Sequence, residues 1–255
     1  MNLFPILQRE FKSYFVSPIA YIVTFIFLLV SGYFFYTNFA WYAFISLQMA
    51  AAPEGGHDLN LTSGVLSPLF LNMSIIMLLM MPLLTMRLFS EEKKTGTIEL
   101  LLTYPIRDGE ALLGKFAACL AVFAVMLALT LFYVLLLALY GEPEYGPVIT
   151  GYLGLLMMGA AFISLGILAS SWTENQIVAA AVSFGFLILF WAISWTTYFT
   201  GPTLGAVLNH LSLMEHLTSF SKGVIETKDV VYYLGFTFFC LFLTLRSLES
   251  KRWRG

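Results

Sequence analysis

Six long apolar runs constrain this chain more than any other feature of its sequence. Each run reaches or approaches the roughly 20 residues that a helix needs to cross the hydrocarbon core of a bilayer. Because the runs take about half of the 255 residues, no room remains for a separate soluble catalytic domain. The sequence therefore predicts an all-α integral membrane protein whose six transmembrane helices lie near Pro18–Thr37, Pro68–Met86, Leu112–Tyr140, Val148–Ser170, Gln176–Phe199 and Val230–Leu248.

Charged residues are sparse, so their positions are informative. They make up 11% of the chain, against about 25% in a soluble domain. With six spans, eleven of the thirteen Lys and Arg residues fall on the side of both termini. Positively charged loops stay on the cytoplasmic side, so both termini are predicted to be cytoplasmic. Met1–Ser17 has no small-residue cleavage site, so it is not predicted to be a signal peptide.

The N-terminal segment, residues 1–17, has the pattern of an amphipathic helix. Apolar residues, Phe11 among them, recur every three or four positions, while Arg9 and Lys12 occupy the other side. Such a helix lies in the membrane interface with its basic side toward the headgroups. The alternative is an ordinary extension of the first span.

Polar residues predict where several helices begin and what joins them. Ser17-Pro18 and Ser67-Pro68 each place a hydroxyl cap before a first-turn proline, and Thr173–Gln176 is a capping-box pattern. Residues 200–229, between spans five and six, carry an amphipathic pattern too polar to span. They are predicted to form short outer helices that either enter the membrane from outside or lie on its surface.

The most polar connection is the charged segment 90–105, between spans two and three. Ser90 is predicted to cap a short helix with Glu91 and Glu92 in its first turn, followed by Lys93 and Lys94. Gly96 ends this helix in a turn that needs a positive φ. Thr97 then caps a second helix with an apolar ridge, Ile98, Leu101 and Leu102, which ends at Pro105. The alternative is a merely solvated loop, but such a loop would not need an apolar ridge.

Several function classes lack the residues they need. His57, His210 and His216 lie in outer segments, and the last two are six residues apart rather than four, so surface or interface positions are expected rather than a metal site. Cys119 and Cys240 fall inside spans and suggest neither a disulfide nor zinc. No Asp, Glu, Lys or Arg lies at the centre of a span, which argues against an ion-coupled carrier. Lys115 and Arg246 lie near span ends, where their side chains can reach the interface.

The charged segment also resembles a known signature, that of ABC-2 type transporter permeases. The matching residues are Met86-Arg87-x-Phe89-Ser90-Glu91-Glu92-Lys93-Lys94-x-Gly96-Thr97-x-Glu99-Leu100-Leu101-Leu102-Thr103-x-Pro105, followed by Leu113-Gly114-Lys115. Further matches resemble the gliding-motility-type branch of that family; they are Ser17–Tyr21, Ala169–Ala179 and Phe220–Val230.

This resemblance implies a permease subunit in the bacterial cytoplasmic (inner) membrane, with an N-terminal connecting helix and a cytoplasmic coupling helix. The coupling helix would dock on a separate ATP-binding subunit through Glu91, Glu92, Lys93, Lys94, Gly96, Thr97 and Glu99. The chain has no Gly-x-x-x-x-Gly-Lys-Ser/Thr phosphate loop, so ATP and magnesium would be bound by two copies of that partner. A second permease copy or paralogue and an extracytoplasmic accessory protein are the other expected partners; nucleic acid is not.

The residues leave the cargo, the direction of transport and the substrate path open. One alternative is a subunit that moves no cargo and relays the motion of the ATPase to an outer partner. An ion-coupled secondary carrier is a less favoured alternative.

Overall fold

The computed structural model of the protein describes residues 3–50, 60–97, 108–141, 143–195 and 201–252. These residues are almost entirely helical. The first three helices are α1 (Leu3–Val16), α2 (Pro18–Ala50) and α3 (Ser67–Thr85). A π-helical turn, Thr62–Leu66, precedes α3. The remaining helices are α4 (Arg87–Lys94), α5 (Asp108–Tyr140), α6 (Tyr145–Trp172), α7 (Gln176–Ala192), α8 (Pro202–Leu211), α9 (Leu213–Ser221) and α10 (Thr227–Arg252).

Six helical segments are long and apolar enough to cross a membrane, which confirms the all-α, six-span prediction by length and composition. These are Pro18–Met49, Thr62–Lys94, Asp108–Tyr140, Tyr145–Trp172, Gln176–Trp195 and Thr227–Ser250. The first is longer than predicted because the residues from Asn38 to Ala50 include no glycine or proline that would end the helix.

The bundle is built around α6, which packs against α3, α5, α9 and α10. In its most apolar stretch 78% of the residues are buried, compared with 22% in α2. Glycines allow this close approach. A Cβ atom on Gly154 would lie 2.6 Å from the Cβ of Phe220, and one on Gly159 would lie 2.6 Å from Phe123 Cδ1.

The predicted helix starts are partly confirmed. The helix α2 begins at Pro18, and the Ser17 hydroxyl accepts a hydrogen bond from the Ile19 amide (3.3 Å). The prediction that Ser67 caps a helix is wrong, because the helix already begins in the preceding π-helical turn. The Ser67 hydroxyl donates instead to the Ser221 carbonyl (2.6 Å). In the turn before α7 the cap is Asn175, whose side chain accepts from the Ile177 amide (2.9 Å), rather than Thr173.

The two ends of the bundle differ in charge. We call the end that carries Arg9, Arg87, Lys93, Lys94 and Lys115 the basic end. The opposite end, which we call the distal end, carries Asn60, Glu144, His216 and Asp229. There the Asn60 amide donates to the Glu144 carboxylate (2.6 Å), which ties the start of α3 to the start of α6.

The segment between spans five and six divides into two helices with different environments. The residues of α8 are mostly exposed, while Leu213, Leu217 and Phe220 of α9 are fully buried against the bundle. The expectation of histidines at a surface or interface holds for His210, which is exposed, whereas His216 is buried inside the bundle and only 3% exposed. The position of His57 lies outside the described residues.

Candidate functional site

The charged segment between spans two and three begins as a direct continuation of α3. Met86 has helical backbone angles, and its amide donates to the Pro82 carbonyl (2.9 Å), so the chain enters α4 without a break. Ser90 is therefore inside a helix that starts at Arg87, and the prediction that it caps the helix is wrong. The reason is that no residue between Thr85 and Ser90 disfavours helix.

One serine of α6 clamps α4 to the end of that central helix. The Ser170 hydroxyl accepts hydrogen bonds from the backbone amides of Phe89 (3.1 Å) and Ser90 (3.0 Å) and donates to the Met86 carbonyl (2.9 Å). All three contacts fit one hydroxyl, which has one hydrogen and two lone pairs. The Ser90 hydroxyl also donates to the Met86 carbonyl.

Lys93 reinforces this clamp. Its side chain is buried, and its ammonium group donates to the carbonyl oxygen of Ser171. Ser171 lies in the last turn of α6, where the helix dipole is negative and carbonyls lack intrahelical partners. Lys93 is therefore a contact within the bundle rather than an exposed charge.

A buried cluster of charges joins α4 to α1 and α5. The Lys115 ammonium of α5 lies 2.6 Å from Glu92 Oε1 and 3.2 Å from Glu10 Oε1. The Lys115 side chain is only 3% exposed, and the two glutamates are 11% and 16% exposed. Arg9, which is 71% exposed, lies 3.1 Å from Glu10 and 3.9 Å from Glu92. We call Glu10, Glu92 and Lys115 the buried triad.

The expectation that Lys115 extends to the interface is thus wrong. Its ammonium lies 5.5 Å from the centre of the Phe89 ring, with α1 covering it. Close packing explains the burial, because a Cβ on the neighbouring Gly114 would lie 2.6 Å from Ile6 Cγ2. Arg246, by contrast, is exposed and pairs with Glu249 (2.8 Å).

The helix α1 is fixed to the basic end by further polar contacts. The Tyr14 hydroxyl donates to the Leu84 carbonyl (2.9 Å), and Arg87 donates to the Ser17 hydroxyl (2.9 Å). Burial, with a further contribution from Cys119, raises the pKa of Tyr14 well above its ordinary value. Its phenol therefore stays protonated and keeps donating. Arg9 and Lys12, on the predicted polar side, are exposed, and Phe11 is half-buried.

The other side of α4 faces away from the bundle. Glu91 and Lys94 of α4 are exposed, as are Gly96 and Thr97 just after it, and we call these four residues the outer face of α4. Gly96 has φ of 71°, which confirms the predicted turn. The predicted second helix, with Glu99 and the apolar ridge, lies outside the described residues.

Of the seven residues predicted to couple the ATPase, the six that the structure describes do not form one surface. Glu92 and Lys93 face the bundle, whereas Glu91, Lys94, Gly96 and Thr97 face outward. Sequence analysis missed the anchoring partners Glu10, Ser170 and Ser171. A signal existed for Glu10, since it lies on the apolar side of α1, four residues from both Ile6 and Tyr14.

Neither a metal nor a nucleotide site is evident in the described part of the chain. Among those residues no group of three or more His, Cys, Asp and Glu side chains could hold a metal ion. Gly109–Lys115 matches most of a phosphate-loop pattern, but Phe116 takes the place of Ser or Thr. These residues also lie in α5 and form no loop, and Lys115 is already paired with two carboxylates.

Comparison with known proteins identifies the family. Residues 4–235 match the model of the ABC-2 family transporter protein. A search of curated proteins finds no match. Proteins of this family are membrane components of ABC transporters and normally work with an ATP-binding subunit. Since the match covers most of the chain and six helices can span a bilayer, the chain is a multi-pass membrane protein that belongs to the ABC-2 transporter permease family.

Proposed function

We propose that this chain is the permease subunit of an ATP-driven transporter in the bacterial cytoplasmic membrane and that it docks on its ATP-binding subunit through residues 90–105. Both termini and this segment are on the cytoplasmic side, in accord with the charge distribution. The proposed class of transported substrate is amphipathic or polymeric. The residues do not identify the substrate itself. We also place the chain in the gliding-motility-type branch of the family, on its resemblance at Ser17–Tyr21, Ala169–Ala179 and Phe220–Val230.

One observation carries the proposal: within the described residues, α4 has one side bound to three other helices and one side exposed. Ser170 and Ser171 bind it to α6, and the buried triad binds it to α1 and α5. A docking element must be stiffly connected to the spans if a force applied to it is to reach them. These contacts give α4 that connection.

The two sides of α4 have different roles in this proposal. The outer face contacts the ATP-binding subunit, and its charges, Glu91 and Lys94, set the orientation of docking and the rate of association. Glu92 and Lys93 are positioning residues that act through the bundle. Substitutions on the two sides should therefore fail in different ways, by lost docking or by lost stability.

Gly96 supports the same assignment. A Cβ at this position would meet no atom within 4 Å, so packing does not require glycine here. The backbone does require it, because φ is 71°. A β-branched residue at such an angle is strongly disfavoured.

Ion-coupled transport is less consistent with the spans. In the described spanning helices, Asp, Glu, Lys and Arg occur at the basic end, at the starts of α5 and α10, and near the end of α10, where Arg246 and Glu249 lie. The rest of these helices has no such residue. A carrier would be expected to place such groups near the membrane centre. The working unit is proposed to have two permease chains, as copies or paralogues, two ATP-binding subunits and an extracytoplasmic accessory protein.

Gly96→Val tests the docking role, with Thr95→Val as the matched control. Thr95 is also exposed but has φ of −88°, which a β-branched residue adopts without strain. Full-length chains are purified from the native membrane, and the ATP-binding subunit that accompanies them is quantified. We expect Gly96→Val to reach the membrane normally and lose the ATP-binding subunit, and Thr95→Val to keep it. Equal recovery in both variants would refute the docking role.

A second experiment tests the energy source. Replacing the phosphate-loop lysine of the accompanying ATP-binding subunit should abolish function while the membrane potential remains intact. Function that persists in that background and disappears with an uncoupler would establish an ion-coupled carrier instead.

A further inference from the structure

The helix that leads into α4 exposes one narrow stripe of its surface. In α3 the exposed side chains are Ile75, Leu79 and Leu83, which we call the α3 stripe, while most of the others are buried in the bundle. Their spacing of four residues places them on one side of the helix. Because the chain enters α4 without a break, the next position on this side is Arg87. The stripe is therefore apolar along its length and ends in a cation.

Arg87 lies at the depth of the lipid headgroups. A helix rises about 1.5 Å per residue, so Arg87 is about 30 Å from Ser67, at the start of α3. This distance is about the thickness of the hydrocarbon core of a bilayer. The α3 stripe thus lies beside acyl chains, and Arg87 lies where phosphate groups begin, in the leaflet at the basic end.

Two contacts hold the guanidinium of Arg87 against the junction of α1 and α2. Arg87 Nη1 donates to the Ser17 hydroxyl (2.9 Å), and Arg87 Cζ lies 5.7 Å from the centre of the Tyr14 ring. Tyr14 is itself held by its hydrogen bond to the Leu84 carbonyl (2.9 Å). The guanidinium is therefore oriented before any ligand binds, which lowers the entropic cost of binding.

This arrangement leaves hydrogen-bond donors unused. The Ser17 oxygen accepts from Arg87 and from the Ile19 amide (3.3 Å), so its lone pairs are occupied and its own hydrogen remains to be donated. In the part of the chain that the structure describes, neither this hydrogen nor the other N–H groups of Arg87 meet an acceptor. Glu91, one turn further on, is exposed and forms no ion pair with Arg87. The cation is thus uncompensated among the described residues.

We propose that the α3 stripe and Arg87 bind a phospholipid, with its acyl chains along α3 and its phosphate on Arg87 and Ser17. Phosphate oxygens carry negative charge and accept hydrogen bonds, which matches the unused donors and the uncompensated cation. Basic pockets between spanning helices on the cytoplasmic side are typical sites of headgroup binding. A protein carboxylate matches the cation but not the apolar stripe beside it. This inference does not depend on docking of an ATPase.

Lipid binding to the full-length protein can be measured by native mass spectrometry. The protein is released from micelles of a neutral detergent in which phosphatidylglycerol is titrated. We expect Arg87→Gln to weaken the tightest phosphatidylglycerol site by roughly tenfold or more, the value of one charge-assisted hydrogen bond. Glutamine can still donate to the Ser17 hydroxyl, so the junction of α1 and α2 is kept. The matched control, Arg246→Gln, removes an exposed arginine near the end of α10 and should leave this site unchanged.

Two competitors separate a lipid site from a site for free phosphate. Diacylglycerol has the acyl chains without the phosphate, and glycerol phosphate has the phosphate without the chains. We expect neither to displace phosphatidylglycerol at concentrations at which phosphatidylglycerol itself saturates the site. Displacement by glycerol phosphate would establish a soluble-anion site, and displacement by diacylglycerol would establish an apolar contact that does not need Arg87. Either result would refute the proposal.

Cross-linking in bilayers locates the acyl chains. Phosphatidylglycerol with a photoreactive group in one acyl chain is reconstituted with the full-length protein, and the modified residues are mapped. In Arg87→Gln, modification of Leu79 and Leu83 should fall severalfold relative to Leu129 and Phe132, which are exposed on α5.

Two results would contradict the lipid site. One is an Arg87→Gln variant with wild-type affinity for phosphatidylglycerol and wild-type labelling of the α3 stripe. The other is loss of a co-purifying protein from Arg87→Gln while lipid binding is unchanged, which would establish that the cation contacts a protein instead.

Discussion

Replacement of Lys115 by methionine tests whether the buried triad holds the basic end together. Methionine has a similar length, so the packing against Phe89 is largely kept while the positive charge is lost. Glu10 and Glu92 then remain as two neighbouring carboxylates without their buried cation, and only the exposed Arg9 is left beside them. Breaking a buried ion pair in this way costs about 3–5 kcal/mol, and the partial exposure of the glutamates favours the lower end, about 3 kcal/mol.

The assay is reversible unfolding of the full-length protein in mixed micelles, measured as the free energy of unfolding. The exposed pair of Arg246 and Glu249 gives a control, because Arg246→Met should cost less than about 1 kcal/mol. Combining Lys115→Met with Glu10→Gln and Glu92→Gln removes all three charges and should recover most of the lost stability. If Lys115→Met costs no more than Arg246→Met, the triad is not a structural connection and the reasoning fails.

Two further predictions concern packing and topology. Gly159→Ala places a methyl group against Phe123 and should destabilise the bundle by about 1–3 kcal/mol in the same assay, whereas Gly185→Ala, with no neighbour within 4 Å, should be neutral or slightly stabilising; equal effects would contradict the close packing of α6. A cysteine in place of Lys94 should be protected from a membrane-impermeant thiol reagent in intact cells, and one in place of Glu144 should react. The reverse labelling pattern would overturn the proposed orientation.

The spans could be predicted from sequence because each depends on local properties. A run of apolar residues determines a spanning helix by its own length, whatever it packs against. The start of α2 follows from Ser17 and Pro18, and the positive φ of Gly96 follows from the turn that its neighbours require. For the same reason the length of α2 beyond Thr37 could have been anticipated, since no breaker residue follows for a dozen positions.

The polar contacts between helices could not be predicted in the same way. Ser170 contacts the amide of Ser90 across 80 residues of sequence, and Lys115 pairs with Glu10 across 105. Such partners are set by the packing of α1, α4 and α6, which hydrophobic periodicity does not specify. The sequence indicated only that Glu10 lies on an apolar face and Lys115 in an apolar helix, where an unpaired charge is costly.

The same limitation explains why the burial of His216 was not predicted. Its spacing from His210 excluded a helical metal pair, but its burial depends on how α9 folds back against the bundle. Asp229, whose Oδ1 lies 2.6 Å from His216 Nδ1, is thirteen residues away and lies at the start of another helix. Neither residue has a local pattern that identifies the other as its partner.

A charge exchange on the outer face of α4 tests whether that face docks on an ATP-binding subunit. Glu91→Lys with Lys94→Glu reverses the charges of that face without changing net charge or touching the buried triad. The matched control, Glu226→Lys with Lys228→Glu, exchanges an exposed pair at the distal end. With both variants present at normal levels in the membrane, we expect only the first to lose the ATP-binding subunit on purification and to lose stimulated ATP hydrolysis. Normal recovery and normal stimulation in the first variant would contradict it.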